Sequence, residues 1–275
     1  MTQQKQFYPN IWASLFIIAL YTFIQAAIEL PIALYDLNHK TAYLNNPLIS
    51  YPIFIGSTLF ILYYGYKNSG FSFKEVFPFK MFPIWILLPF VLMDVSLQYF
   101  MNDVNLWVNS ILPVPDWFNQ LFARIFERAP SQWMGVAKVV VIGPIIEELI
   151  FRGIVMNGFL RNYSKTKAIL ISAILFGFFH MNPWQLLPAS ILGVVLGMLR
   201  AQTGSIWAAI AGHSIHNGLV YLSIVYYKEL SSISILTKSA QNNIIHTFVI
   251  CLMLLTIIFA TRKNNQLSWF KRPTQ

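Results

Sequence analysis

The sequence predicts an all-α polytopic membrane protein with about eight transmembrane helices around a buried polar cavity. Composition is the first reason: 56% of the 275 residues are hydrophobic and 11% are charged. The mean hydropathy of +0.57 lies outside the range of soluble globular domains. The second reason is length. Apolar runs close to the ~20 residues that cross a bilayer fall near 11–33, 48–66, 81–100, 133–160, 168–182, 184–200, 205–227 and 243–261. The third is charge. Outside those runs Lys5, Lys67, Lys74, Lys80, Arg161, Lys165, Lys167, Arg200, Arg262, Lys263, Lys271 and Arg272 belong to one side, and Lys40, Arg124, Arg128, Lys228 and Lys238 to the other. Cations gather in cytoplasmic loops, so an even number of crossings with both termini in the cytoplasm is expected.

The elements follow in order. Lys5 precedes an apolar run longer than the about 7 to 15 residues of a cleavable signal core, so the first run reads as a retained span. The second and third are plain apolar segments. Between the third and fourth, residues 116–128 place Trp117, Leu121, Phe122 and Ile125 at helical spacing, with Arg124 and Arg128 elsewhere on the turn. That pattern suits a helix lying along the outer interface. The fifth and sixth runs are short and separated only by "NPW". The eighth holds Cys251, the single cysteine, which excludes an intrachain disulfide and a thiolate metal cluster. With no repeat, linker or low-complexity block, residues 1–275 form one membrane domain. The net charge of +9 comes with no basic run interleaved with aromatics, so the bilayer is a partner and nucleic acid is not.

Three polar constellations interrupt the apolar spans. The first is "GPIIEELIFRG", residues 143–153. A charge at mid-span costs roughly 2.5–3.5 kcal/mol on insertion scales, so Glu147, Glu148 and Arg152 need a compensating reason. Glu148 and Arg152, four apart, share a helix face, whereas Glu147 points well off that axis. Glu148 therefore has a local cation and Glu147 has none. A desolvated carboxylate without a cation is a better base. Pro144 removes a helix hydrogen bond one turn earlier and leaves room for water. The second constellation is "FGFFHMNPW", with Phe176 one turn before His180. The third is "AAIAGHSIHNGL", with His213 and Asn217 four apart on one face and His216 beside them. Small residues at Ala208 and Gly212, and at Ala189, Gly193 and Gly197, permit close helix approach. Counted from the expected cytoplasmic ends at about 1.5 Å per residue, Glu147, His180 and His213 lie roughly 12–20 Å deep, at levels where they can meet.

A carboxylate with a nearby histidine can orient and deprotonate water, and two further donors can hold an oxyanion. Glu147 is thus the candidate base, His180 its water-positioning partner, and His213 with Asn217 the oxyanion donors. Glu148 and Arg152 would hold the helix.

The stretches "EELIFRG", "FGFFH" and "HSIHN" resemble the E-E-x-x-x-R, F-x-x-x-H and H-x-x-x-N motifs of the CPBP intramembrane peptidases, the CAAX-protease and bacteriocin-processing (Abi) family. The resemblance covers roughly residues 133–227 as a catalytic core. It implies an eight-helix core, a cavity facing the cytoplasm, and endopeptidase activity in which Glu147 and His180 activate water while His213 and Asn217 form the oxyanion site. No cofactor is expected. Zinc is the alternative, since two histidines and a carboxylate can bind it, although H-E-x-x-H is absent. The expected partner is a membrane-associated peptide or protein substrate, in peptide processing or bacteriocin self-immunity at a plasma membrane. Two other classes use the same residue types. A proton-coupled permease uses Glu and His relays but usually shows an inverted repeat with paired broken helices, and none is visible. A catalytically silent binding or regulatory protein need not keep Glu147, His180 and His213 together.

Overall fold

The structure, a computed structural model, describes residues 6–119, 136–226 and 243–262, and all regular structure among them is helical. Helix α1 (Ile11–His39) starts where Asn10 Oδ1 accepts the Ala13 amide at 2.9 Å, satisfying one of the first-turn donors that a helix leaves unpaired. It ends at Lys40, in the left-handed region at φ 55°. Helix α2 (Pro47–Ser69) follows the Asn46 cap and stops at Gly70, φ 71°. The one-turn α3 (Phe73–Val76) carries a reciprocal capping box between Ser72 and Glu75.

Helix α4 (Leu87–Ile111) corrects the third expected span. It begins six residues later than 81 and continues past 100, because Pro83 is extended and only a 3₁₀ turn, Ile84–Ile86, leads in. Of the expected interfacial helix 116–128, residues 116–119 are helical; the rest, with Arg124 and Arg128, lies outside the described residues. Helix α5 spans 137–162 in four successive registers: π over Ala137–Ile142, α over Gly143–Glu148, π over Leu149–Val155 and α over Met156–Asn162. Helices α6 (Lys165–Phe179), α7 (Pro183–Thr203), α8 (Ile206–Val225) and α9 (Asn243–Arg262) complete the bundle. Arg200, assigned to a loop from sequence, is instead fully buried in the last turns of α7.

Among the described residues, four segments are long and apolar enough to cross a membrane unaided: α1, residues 48–69, residues 84–111, and α7. The helices that carry the polar constellations fall outside that set for a chemical reason. Helix α5 changes register three times, α6 has 15 residues, and α8 spends three positions on His213, His216 and Asn217.

Small residues let these shorter helices close up. A Cβ added to Gly193 of α7 would lie 2.9 Å from Ala173 Cα on α6, and one added to Gly212 of α8 would lie 2.8 Å from Leu199 Cδ1 on α7. At Gly193 the stripe read from the sequence marks a backbone approach, and at Gly212 a close side-chain contact. One end of the bundle is tied by polar contacts. Asn162 Nδ2 donates to Phe7 O at 2.7 Å, its Oδ1 accepts the Phe7 amide at 2.9 Å, and the Ile206 amide donates to Pro78 O at 3.1 Å.

Gly193→Val is expected to cost about 1–3 kcal/mol by overpacking, read as a lower melting temperature in detergent. Gly56→Ala, where an added Cβ meets nothing within 4 Å, should not lower it.

Candidate active site

The site begins with a missing hydrogen bond. In the first π turn of α5 the Gly143 amide donates to Lys138 O. The next donor in that register would be residue 144, but proline has no N–H, so the Val139 carbonyl is left over. Asn217 Nδ2 on α8 donates to it at 2.8 Å. Buried carbonyls need partners, and this contact joins the two helices. Pro144 and Asn217 were both singled out from sequence; the bond that relates them was not.

One turn on, Arg152 and Glu148, both fully buried, pair at 2.9 Å. Glu148 Oε1 also meets His213 Nδ1 at 3.0 Å, and the second Arg152 amino group donates to Gly193 O at 2.8 Å. One carboxylate oxygen thus gathers groups from α5 and α8, while the same arginine reaches α7. Glu147, with its side chain 23% exposed, places Oε2 3.8 Å from His213 Nε2. It has no local partner on α5, as expected, but α8 supplies a neighbour that spacing could not reveal. At 3.8 Å the two atoms are too far apart for a hydrogen bond.

His180 follows the last residue of α6, and its Nδ1 lies 2.9 Å from Phe176 O. A carbonyl only accepts, so Nδ1 carries the proton and neutral His180 offers Nε2 as a lone pair. The turn that presents it is built by Asn182, whose Oδ1 accepts the Gln185 amide at 2.8 Å and whose Nδ2 donates to His180 O at 2.9 Å. Phe176 is the shared wall. Its ring packs edge-on to His180 and His213, with centroids at 5.0 and 5.6 Å, and the Arg152 guanidinium lies 4.8 Å from its centre. Glu147, His180, His213 and Asn217 line one cavity of ≈ 210 Å³, closed on its apolar side by residues such as Phe176 and Leu192.

The sequence reading missed one acid. Asp94 of α4 is fully buried and lies 2.8 Å from His216 Nδ1. The signal was present, since an ionisable residue inside a span marks a functional position by default. Outside the spans, the Ser72 hydroxyl and amide hold the Glu75 carboxyl below the usual carboxylate range, with Arg161 adding to the effect from 3.7 Å.

The arrangement can orient a water between a carboxylate and an imidazole lone pair, with donors on the opposite wall. Among the described residues no three His, Cys, Asp or Glu side chains are grouped as a metal would require; the Nδ1 contacts of His180 and His213 leave both Nε2 atoms open, as in a metal-binding histidine.

Residues 129–219 match the family model described as type II CAAX prenyl endopeptidase Rce1-like, and that stretch contains all four cavity residues. Over 82 residues the chain is 34% identical to the protein named "Putative membrane peptidase YdiL" of Bacillus subtilis (strain 168). The aligned part is 30% of this chain and 34% of that protein, so the match spans about a third of the relative's length. No solved structure matches the chain.

Arg152→Met leaves a buried carboxylate without its cation and is expected to cost about 3–5 kcal/mol. The double variant Glu148→Gln/Arg152→Met should recover most of that loss in detergent melting curves.

Proposed function

We propose that this chain, whose residues 129–219 match the type II CAAX prenyl endopeptidase Rce1-like family model, is a glutamate-dependent intramembrane endopeptidase acting on membrane-associated peptides or proteins. The observation that carries the proposal is Glu147 Oε2 standing 3.8 Å from His213 Nε2 on the wall of a cavity that His180 and Asn217 share. A water held by Glu147 and by His180 Nε2 gives its proton to the carboxylate as its oxygen attacks the peptide carbonyl. The developing oxyanion takes the His213 Nε2–H and the amide hydrogen that Asn217 does not spend on Val139. The His213 ring stands between the two glutamates, with Nδ1 3.0 Å from Glu148 and Nε2 3.8 Å from Glu147. Arg152 holds Glu148 in place at 2.9 Å.

This scheme assigns no step to a metal. The bond the chain hydrolyses lies near the cytoplasmic membrane face, toward which the cavity opens. Peptide processing or bacteriocin self-immunity at a plasma membrane is the setting that suits such a substrate. The lysine-rich helix ends and both termini would then face the cytoplasm.

Two outcomes are expected. Purified protein in detergent cleaves a quenched-fluorescence random peptide library, with or without a zinc chelator. Glu147→Gln abolishes turnover and His213→Ala lowers it about 10²- to 10³-fold; chelator-sensitive activity restored by zinc would overturn the metal-free scheme. In cells, a green fluorescent protein fused to the C-terminus fluoresces and an alkaline phosphatase in its place stays inactive, whereas the reverse pattern contradicts the orientation.

A further inference from the structure

The cavity has a second acid–base pair that the scheme above leaves unused. Asp94, on α4, is fully buried. Its Oδ1 meets His216 Nδ1 at 2.8 Å and its Oδ2 accepts from Gln98 Nε2 at 3.1 Å. Both carboxylate oxygens are therefore occupied, and the proton on His216 Nδ1 is fixed toward Asp94. A carboxylate removed from water is costly unless it is hydrogen-bonded, and His216 Nδ1 and Gln98 Nε2 supply those bonds. The ring retains 9% exposure and lines the same cavity as Glu147, His180 and His213. Among the described residues no hydrogen bond occupies its Nε2.

A buried carboxylate bonded to one imidazole nitrogen, with the other nitrogen facing a reaction cavity, both orients the ring and stabilises its charged form. Amide hydrolysis needs such a group. The leaving amine cannot depart as an anion, so the C–N bond breaks only as the nitrogen is protonated.

We propose that His216 is the general acid that protonates the leaving amine, with Asp94 as its positioning residue; this rests on the peptidase reading above. Water gives one proton to Glu147 while its oxygen bonds to the carbonyl carbon. As the tetrahedral intermediate collapses, the C–N electron pair goes to nitrogen, which takes the Nε2 proton of His216. Glu147 and the new carboxylic acid then hold one proton each. One passes to the released amine and the other returns to His216, so the products leave as carboxylate and ammonium and the site is restored.

The test compares two probes in detergent: the random peptide library, and p-nitrophenyl esters of N-acyl amino acids, whose leaving group departs without a proton. His216→Gln keeps a donor for Asp94 but no acid. It is expected to lose about 10²-fold or more on peptides while ester hydrolysis stays within about a factor of three of wild type, because that step needs no proton. The double variant Asp94→Asn/His216→Gln removes the buried charges and should show the same split, which separates a chemical role from a folding defect. Equal losses on both probes in both variants, or undiminished peptide cleavage by His216→Gln, overturn the assignment. Glu147→Gln is run beside them. If it cleaves peptides as fast as wild type, the peptidase reading itself fails; if it is silent while His216→Gln remains active on peptides, only the role of His216 fails.

Discussion

The organisation of this membrane protein depends on one buried oxygen. Glu148 Oε1 is shared between Arg152 at 2.9 Å and His213 at 3.0 Å, at a depth where an isolated carboxylate would be prohibitive. Meeting that demand fixes three things together. It holds α5 in register through Arg152, it draws α7 close through the Gly193 carbonyl, and it sets the plane of the His213 ring so that the far nitrogen faces Glu147. The adjacent glutamates therefore divide the work. One is consumed by structure, and the other, partly exposed, is left for chemistry.

The irregular backbone of α5 is part of the same device. A uniform α-helix would pair the Val139 carbonyl internally and give Asn217 nothing to bind. The π register together with Pro144 frees that carbonyl, and the asparagine from α8 takes it up. Wide turns of this kind are common near functional sites because they free backbone groups and redirect side chains. Here the redirected face carries Glu147, and the freed group anchors the wall opposite it.

Much of this was legible in the sequence, and the limits are physical. Hydropathy located the long helices well, and the four-residue spacing of Glu148 and Arg152 gave their ion pair, because both follow from period and chemistry along one chain. The third span was misplaced because Pro83 delays helix formation despite apolar neighbours. Pairings between helices were out of reach. Spacing says which residues share a face, but not which face it meets, so the His213 neighbour of Glu147 and the Val139 partner of Asn217 emerged only in three dimensions. Asp94 was passed over for a related reason: it sits alone in an otherwise plain apolar span, and its partner is 122 residues away.

The brevity of α6 has a consequence for how the molecule is made. Its 15 residues extend about 22 Å, against roughly 30 Å of hydrocarbon. As it emerges during synthesis it is too short to settle across the bilayer alone, and Asn182 and Pro183 join it at once to the longer α7. The two must enter as a hairpin. The wall bearing Phe176 and His180 is then assembled only after the ribosome has moved well beyond it, so a partly built chain carries its acid before it carries the means to use it.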